Sequence, residues 1–122
     1  MRSKREIGDK YENLAAAYLD KFGCRVVAKN FRCKRGEIDL IVRENNVIAF
    51  VEVKYKSNEN FGSALSMVTP AKQRKLIYAA QTFLQQNSKL SSLDARFDVI
   101  GITPSGVGNE LEYEWIRGAF TT

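Results

Sequence analysis

Apolar residues recur at three- and four-residue steps through Ile7, Tyr11, Leu14, Ala15, Tyr18, Leu19 and Phe22, which lays one apolar stripe along a helix. Ser3 followed by Glu6 has the form of a capping box, and Gly23 supplies a C-terminal stop. The period then changes. Cys24 to Phe31 is β-rich, and Glu37 to Arg43 and Val47 to Tyr55 read as two further strands with Glu44-Asn45-Asn46 at the turn. Asparagine tolerates positive φ, so Asn45-Asn46 predicts a two-residue hairpin turn. Residues 56 to 68, including Lys56, Asn58, Asn60 and Gly62, read as a polar loop. Thr69 as N-cap with Pro70 at the first helical position predicts a second helix reaching Gln86, with Leu76, Ile77, Ala80, Phe83 and Leu84 as its apolar face. Asn87 to Ser92 reads as an irregular turn, Arg96 to Ile102 as a strand, Pro104 to Asn109 as a Gly-rich turn, and Glu110 to Ile116 as an alternating edge strand. The order α-β-β-β-α-β-β places a helix between the hairpin and the later strand. That implies a crossover, and hence a mixed sheet flanked by helices.

The chain has 122 residues, the size of one domain, and residues 1–122 are read as a single one. No apolar run approaches the ~18 residues that would span a bilayer. Mixed charge follows Met1 where a secretory signal would carry an apolar core, so the expectation is a cytoplasmic protein with no membrane partner. The net charge of +5 is unevenly spread: through residue 90 there are 17 basic and 9 acidic side chains, and beyond it 2 and 5. Lys21, Arg25, Lys29, Arg32, Lys34 and Arg35 lie between Asp20 and Glu37 with no acid among them. Such a field favours a polyanion, nucleic acid first, although a solvated basic face has the same composition. Lys72, Arg74 and Lys75 oppose the dipole at the start of the second helix, an arrangement that a docked phosphate would relieve.

Histidine is absent, which removes Ser-His-Asp and Cys-His catalysis and most zinc sites. Cys24 and Cys33 read as free thiols, so a metal would need oxygen ligands, as Mg²⁺ or Mn²⁺ does. The hairpin offers them. With a turn at Asn45-Asn46, Asp39 faces Glu52 and Glu37 faces Lys54, and strand alternation puts all four on one face. The other face carries Ile38, Leu40, Val42, Val47, Ala49, Val51 and Val53 and is expected to pack against a helix. Glu12 falls on the shoulder of the first helix's stripe, one turn from Gly8, where a crevice would form. Two carboxylates holding Mg²⁺ beside a lysine suit phosphodiester hydrolysis, because the ion polarises a phosphoryl oxygen and the ammonium orients water or stabilises charge. A structural ion-pair network is the competing explanation.

Asp39 followed by Glu52-Val53-Lys54 across a hairpin resembles the PD-(D/E)xK nuclease superfamily, with its restriction-endonuclease-like fold. A fuller match covers residues 8 to 102. Gly8 and Glu12, Asn30-Phe31-Arg32, Gly36-Glu37-Ile38-Asp39-Leu40-Ile41, Phe50-Val51-Glu52-Val53-Lys54, Lys72 and Arg96-Phe97-Asp98-Val99 resemble the YraN-like family of small bacterial proteins, similar to archaeal Holliday-junction resolvases. The resemblance implies that Glu12, Asp39 and Glu52 are metal ligands with the Val53 carbonyl as a further one, and that Lys54 is the catalytic lysine. Ile38 stands where the superfamily motif has proline. A Gln-x-x-x-Tyr motif is not assigned, since Ile77 follows Gln73 at the required step. Lys56 stands where family members often have arginine.

The expectation is therefore a Mg²⁺-dependent endonuclease acting on DNA, branched or junction DNA by analogy. Arg32, Lys34, Arg35, Lys56, Lys72, Arg74 and Lys75 would contact phosphates. Two other readings stay open: a non-catalytic nucleic-acid-binding module, and an assembly protein whose acids only pair with bases. A homodimer is a further candidate, with the edge from Tyr113 to Trp115 as its surface.

Overall fold

The computed structural model describes residues 3–57 and 63–121. The elements are α1 (Lys4–Asp20), β1 (Arg25–Cys33), β2 (Gly36–Glu44), β3 (Val47–Tyr55), α2 (Pro70–Gln86), β4 (Asp94–Pro104) and β5 (Leu111–Phe120), with a short 3₁₀ turn at Ala64–Met67 before α2. This is the expected α-β-β-β-α-β-β order and the layering expected of a restriction-endonuclease-like fold. No helix among the described residues is long and apolar enough to cross a membrane.

The caps form as the sequence predicts. Ser3 accepts the Glu6 N–H at 3.2 Å and Thr69 accepts the Lys72 N–H at 3.2 Å, each satisfying an orphan donor of a first turn. The strands make one sheet in the order β1-β2-β3-β4-β5. β3 and β4 run parallel, as the crossover through α2 requires, and the other neighbours are antiparallel. α1 covers one face: Ala15, Ala16 and Leu19 bury against Leu40, Val42, Ala49, Val51, Ile100 and Ile102. α2 covers the other: Leu76, Ala79, Ala80 and Phe83 bury against Ile41, Ile48, Phe50 and Val99. Asn45 takes the turn at φ 53°, and the hairpin register follows as Glu44↔Val47 through Leu40↔Val51.

Beyond Leu40↔Val51 the hairpin parts, and here the structure corrects the sequence reading. Neither Asp39 with Glu52 nor Glu37 with Lys54 forms a ladder pair. On the other side of β2, the β1 pairing skips from Lys29↔Leu40 to Phe31↔Ile38, and the unpaired Asn30 sits at φ 52°. Side-chain alternation slips at this point. Leu40 and Val42 join the core under α1, whereas Ile38 joins the core under α2 and Val47 is only half-buried. The hairpin therefore has no wholly apolar and wholly acidic sides. Both faces are buried along its length, and the acids gather where the strands separate.

Two loops also differ from expectation. Lys56 is buried at 8% exposure, Ala64 at the start of the 3₁₀ turn is fully buried, and Ala64 donates its N–H to Glu114 Oε1 at 2.9 Å. Asn58, Asn60 and Gly62 lie outside the described residues. The 87–93 turn is organised by three main-chain hydrogen bonds, with Leu90 and Leu93 packed on the core.

Candidate metal centre

The separation of β2 from β3 is filled by a side chain. Asp39 Oδ2 accepts the Val53 N–H at 2.9 Å, in the place that a β2 carbonyl would take in an unbroken ladder. The carboxylate thus lies near the plane of the sheet, reachable from both layers. Glu52 approaches from the α2 side at 2% exposure, and Asp39 is within hydrogen-bonding reach of it. Glu12 approaches from α1, within reach of both Asp39 and the Asn30 amide. The left-handed turn of Asn30 and the gap at Asp39 together let acids from opposite layers meet.

These groups line a cavity of about 330 Å³ that also takes in Gly8, Tyr11, Lys54, Tyr55 and Lys72. Glu52 Oε2 lies 3.4 Å from Lys72 Nζ and 3.7 Å from Lys54 Nζ. The two ammonium groups favour its charged form, but burial, followed by the Asp39 hydrogen bond and charge, outweighs them and pushes its pKa up to about 8. Burial and the Asp39 charge likewise push Glu12 up to about 7, against the favourable Asn30 amide. Tyr11 and Tyr55 stack at 4.2 Å at the mouth of the cavity, and burial and their mutual hydrogen bond raise the Tyr11 hydroxyl.

One buried polar side-chain atom among the described residues has no hydrogen-bond partner, and it is Glu12 Oε1. A buried acceptor left alone is costly, so an electropositive group is called for at this spot. No three Asp, Glu or Cys side chains among the described residues form a ready-made cage. The donors nevertheless fit a small hard cation that binds through one or two carboxylates and keeps several waters, as Mg²⁺ does. Asp39, Glu52, Glu12 and the Val53 carbonyl are the groups that would hold it.

Of the expected phosphate contacts, Lys72 belongs to the acid cavity through Glu52. Arg32, Lys34, Arg35 and Lys75 line a neighbouring groove of about 700 Å³, and Arg74 lies just beyond it on α2. Gly36 lets the start of β2 approach α2 closely at that groove, because a Cβ there would sit 2.6 Å from the Lys75 carbonyl. Lys56 is not on this surface. Its Nζ lies 3.9 Å from Glu114, and burial removes it from phosphate contact. The side chains of the expected dimer edge pack within the chain, Tyr113 stacking on Tyr18 at 4.3 Å and Trp115 packing on Phe22 and Arg117, while β5 stands as the last strand of the sheet.

Several residues of the site have no signal in the sequence. Asn30 reaches Glu12 only because β1 turns left-handed, and the Tyr11–Tyr55 stack joins an early helix to a strand end. A second cluster lies outside the expected site. The fully buried Asp98 accepts from Arg96 Nε at 3.0 Å, Trp115 Nε1 at 3.0 Å and the Gly118 N–H at 3.0 Å. It bridges a bulge where the β4–β5 register shifts, and Arg96 ties it to Glu44, which also pairs with Arg117 at 3.3 Å.

A mixed α/β domain with acids from three elements meeting in the split of its sheet is the class of protein this geometry defines. The chain belongs to the family described as Uncharacterised protein family UPF0102, which matches residues 11–102 and is the YraN-like family of the sequence reading. It is similar to a UPF0102 protein of Vibrio parahaemolyticus, 49% identical over 119 residues covering 98% of this chain and 95% of the relative. A UPF0102 protein of Saccharophagus degradans is 44% identical over 121 residues, covering 99% and 98% respectively. One of Klebsiella pneumoniae is 40% identical over 117 residues, covering 95% and 87%.

Proposed function

We propose that the protein is a Mg²⁺-dependent endonuclease that hydrolyses DNA phosphodiester bonds, with branched DNA as the substrate class suggested by its resemblance to junction resolvases. The observation that carries this is the unpartnered Glu12 Oε1 beside two further carboxylates, a set whose charge must be neutralised by protons or by a bound cation. When bound, a divalent cation on oxygen ligands polarises a phosphoryl oxygen and makes a water more acidic. Lys54 is half-buried next to Glu52, positioned to orient the attacking water and to stabilise charge developing on the phosphate. Lys72 adds a second ammonium on the same carboxylate and faces the groove where the strand would lie. Arg32, Lys34, Arg35, Arg74 and Lys75 hold phosphates around it, which makes binding salt-dependent and weakly sequence-specific. A cytoplasmic location suits the two free cysteines.

The one other reading is a nucleic-acid-binding module without catalysis, consistent with the uneven basic surface alone. A cleavage assay in Mg²⁺ or Mn²⁺ over linear, flapped and four-way DNA separates the two. Wild type is expected to cut, while Asp39→Asn and Lys54→Ala bind DNA and do not. Cleavage persisting in both purified variants would remove the site assignment. Tight binding with no metal-dependent cutting by wild type would establish the module.

A further inference from the structure

Three concavities run into one another across the basic side of the molecule. Glu37 and Lys72 line both the acid cavity and the 700 Å³ groove. Arg35 and Lys75 line both that groove and an outer pocket of about 340 Å³ on α2. The one acid lining the groove, Glu37, is held by Arg32 at 3.4 Å, and the groove's other charged residues are all cationic. At the far end of this path, Tyr78 is 38% exposed, and the Arg35 guanidinium lies 4.9 Å from its ring centre.

We infer that this path binds a single-stranded polynucleotide, with an unpaired base stacking at the Arg35–Tyr78 pair while its phosphates follow the groove to the acid cavity. The inference rests on the nucleic-acid reading of the basic surface and narrows it to a strand class. Phosphates alone would account for the cations but not for the tyrosine. An aromatic ring paired with a guanidinium plane offers a π-face, and only a base released from its duplex can use one. A duplex keeps its bases stacked on each other and presents phosphates. A cationic groove that tracks a backbone and ends on an aromatic platform is the arrangement by which proteins hold single strands without reading sequence.

The test is fluorescence-anisotropy binding in EDTA of oligo(dT), oligo(rU) and a duplex of equal length. Wild type is expected to hold a single strand more tightly than the duplex. Tyr78→Ala is expected to weaken single-strand binding by at least ~5-fold, the lower end for loss of a stacked base, while Tyr78→Phe retains it. Arg35→Lys keeps the charge and loses the planar stack, so it is expected to weaken the single strand more than the duplex. Tighter binding of either oligo(dT) or oligo(rU) than of the duplex supports the strand class. Duplex binding as tight as single-strand binding overturns the inference, as does a Tyr78→Ala variant of unchanged affinity. Failure to cut in Mg²⁺ with the Tyr78-dependent preference intact overturns the nuclease reading alone.

Discussion

Asp39 Oδ2 takes the Val53 N–H at 2.9 Å, so a side chain does the work of a main-chain carbonyl where β2 and β3 part. A single carboxylate thereby caps a ladder and becomes the hub of an acid cluster. The two roles separate chemically, because an amide accepts the same hydrogen bond without the charge.

Asp39→Asn is accordingly expected to keep the fold, while Asp39→Ala strands the Val53 donor. Urea denaturation should place the alanine variant about 1–3 kcal/mol below the asparagine variant, the cost of an unsatisfied buried group. Equal midpoints for the two would show that the strands part for another reason.

Burial and Asp39 raise Glu52 from 4.5 to about 8 and Glu12 from 4.5 to about 7. The folded chain therefore holds protons that the unfolded chain releases above its ordinary carboxylate pKa. This contribution is fully present below 4.5 and is lost as pH rises through 7 and 8. The groups that act on these acids are Asp9 on α1, Asp39 on β2, Lys54 on β3 and Lys72 on α2. EDTA-treated protein is expected to lose stability between about pH 5 and pH 8.5, chiefly through Glu52 because solvent screens Glu12, and Glu52→Gln to flatten that slope. A stability that climbs over this range in wild type would contradict the site electrostatics.

Cations compete with those protons. The rise in Tm on adding Mg²⁺ should therefore be larger at about pH 8.5 than at about pH 5.5. At a hundredfold excess over Kd, the gain is roughly 2.7 kcal/mol. Isothermal calorimetry should find this binding lost in Asp39→Asn. Binding that is as strong in the variant would locate the ion elsewhere.

Asp98 sits in the other cluster, buried on the face of the sheet that α1 covers, and holds Arg96, Trp115 and the Gly118 N–H together. Asp98→Ala leaves all three donors without that acceptor. It is expected to cost about 3–5 kcal/mol in chemical denaturation, the range for breaking a buried charged pair. The same variant should retain a wild-type Mg²⁺ response in its folded fraction, since Glu52 lies on the opposite face.

Much of this architecture was legible because it is local. Ser3, Thr69 and Pro70 mark helix starts by satisfying or lacking their own nearby N–H groups, and Asn45 fixes the hairpin register through its φ of 53°. Glu12, Asp39, Glu52 and Lys54 could be brought together by period and register, and they share one cavity. What failed was what depends on packing between distant segments. Strand alternation assumed an unbroken ladder and so assigned Ile38 to the wrong layer. Lys56 read as a loop lysine because nothing near it in the chain announces Glu114. Lys72 read as a phosphate contact, and only the docking of α2 shows that it reaches Glu52.

Glu12 comes from the opening helix, Asp39 and Glu52 from the hairpin, and Lys72 from the helix that follows. No partial chain contains the whole set before α2 docks, and a chain whose opening helix has peeled away loses its first acid. The cluster works as an interlock: an unfinished or partly unfolded copy lacks at least one of its carboxylates or its ammonium, and only the fully docked chain presents all four groups together.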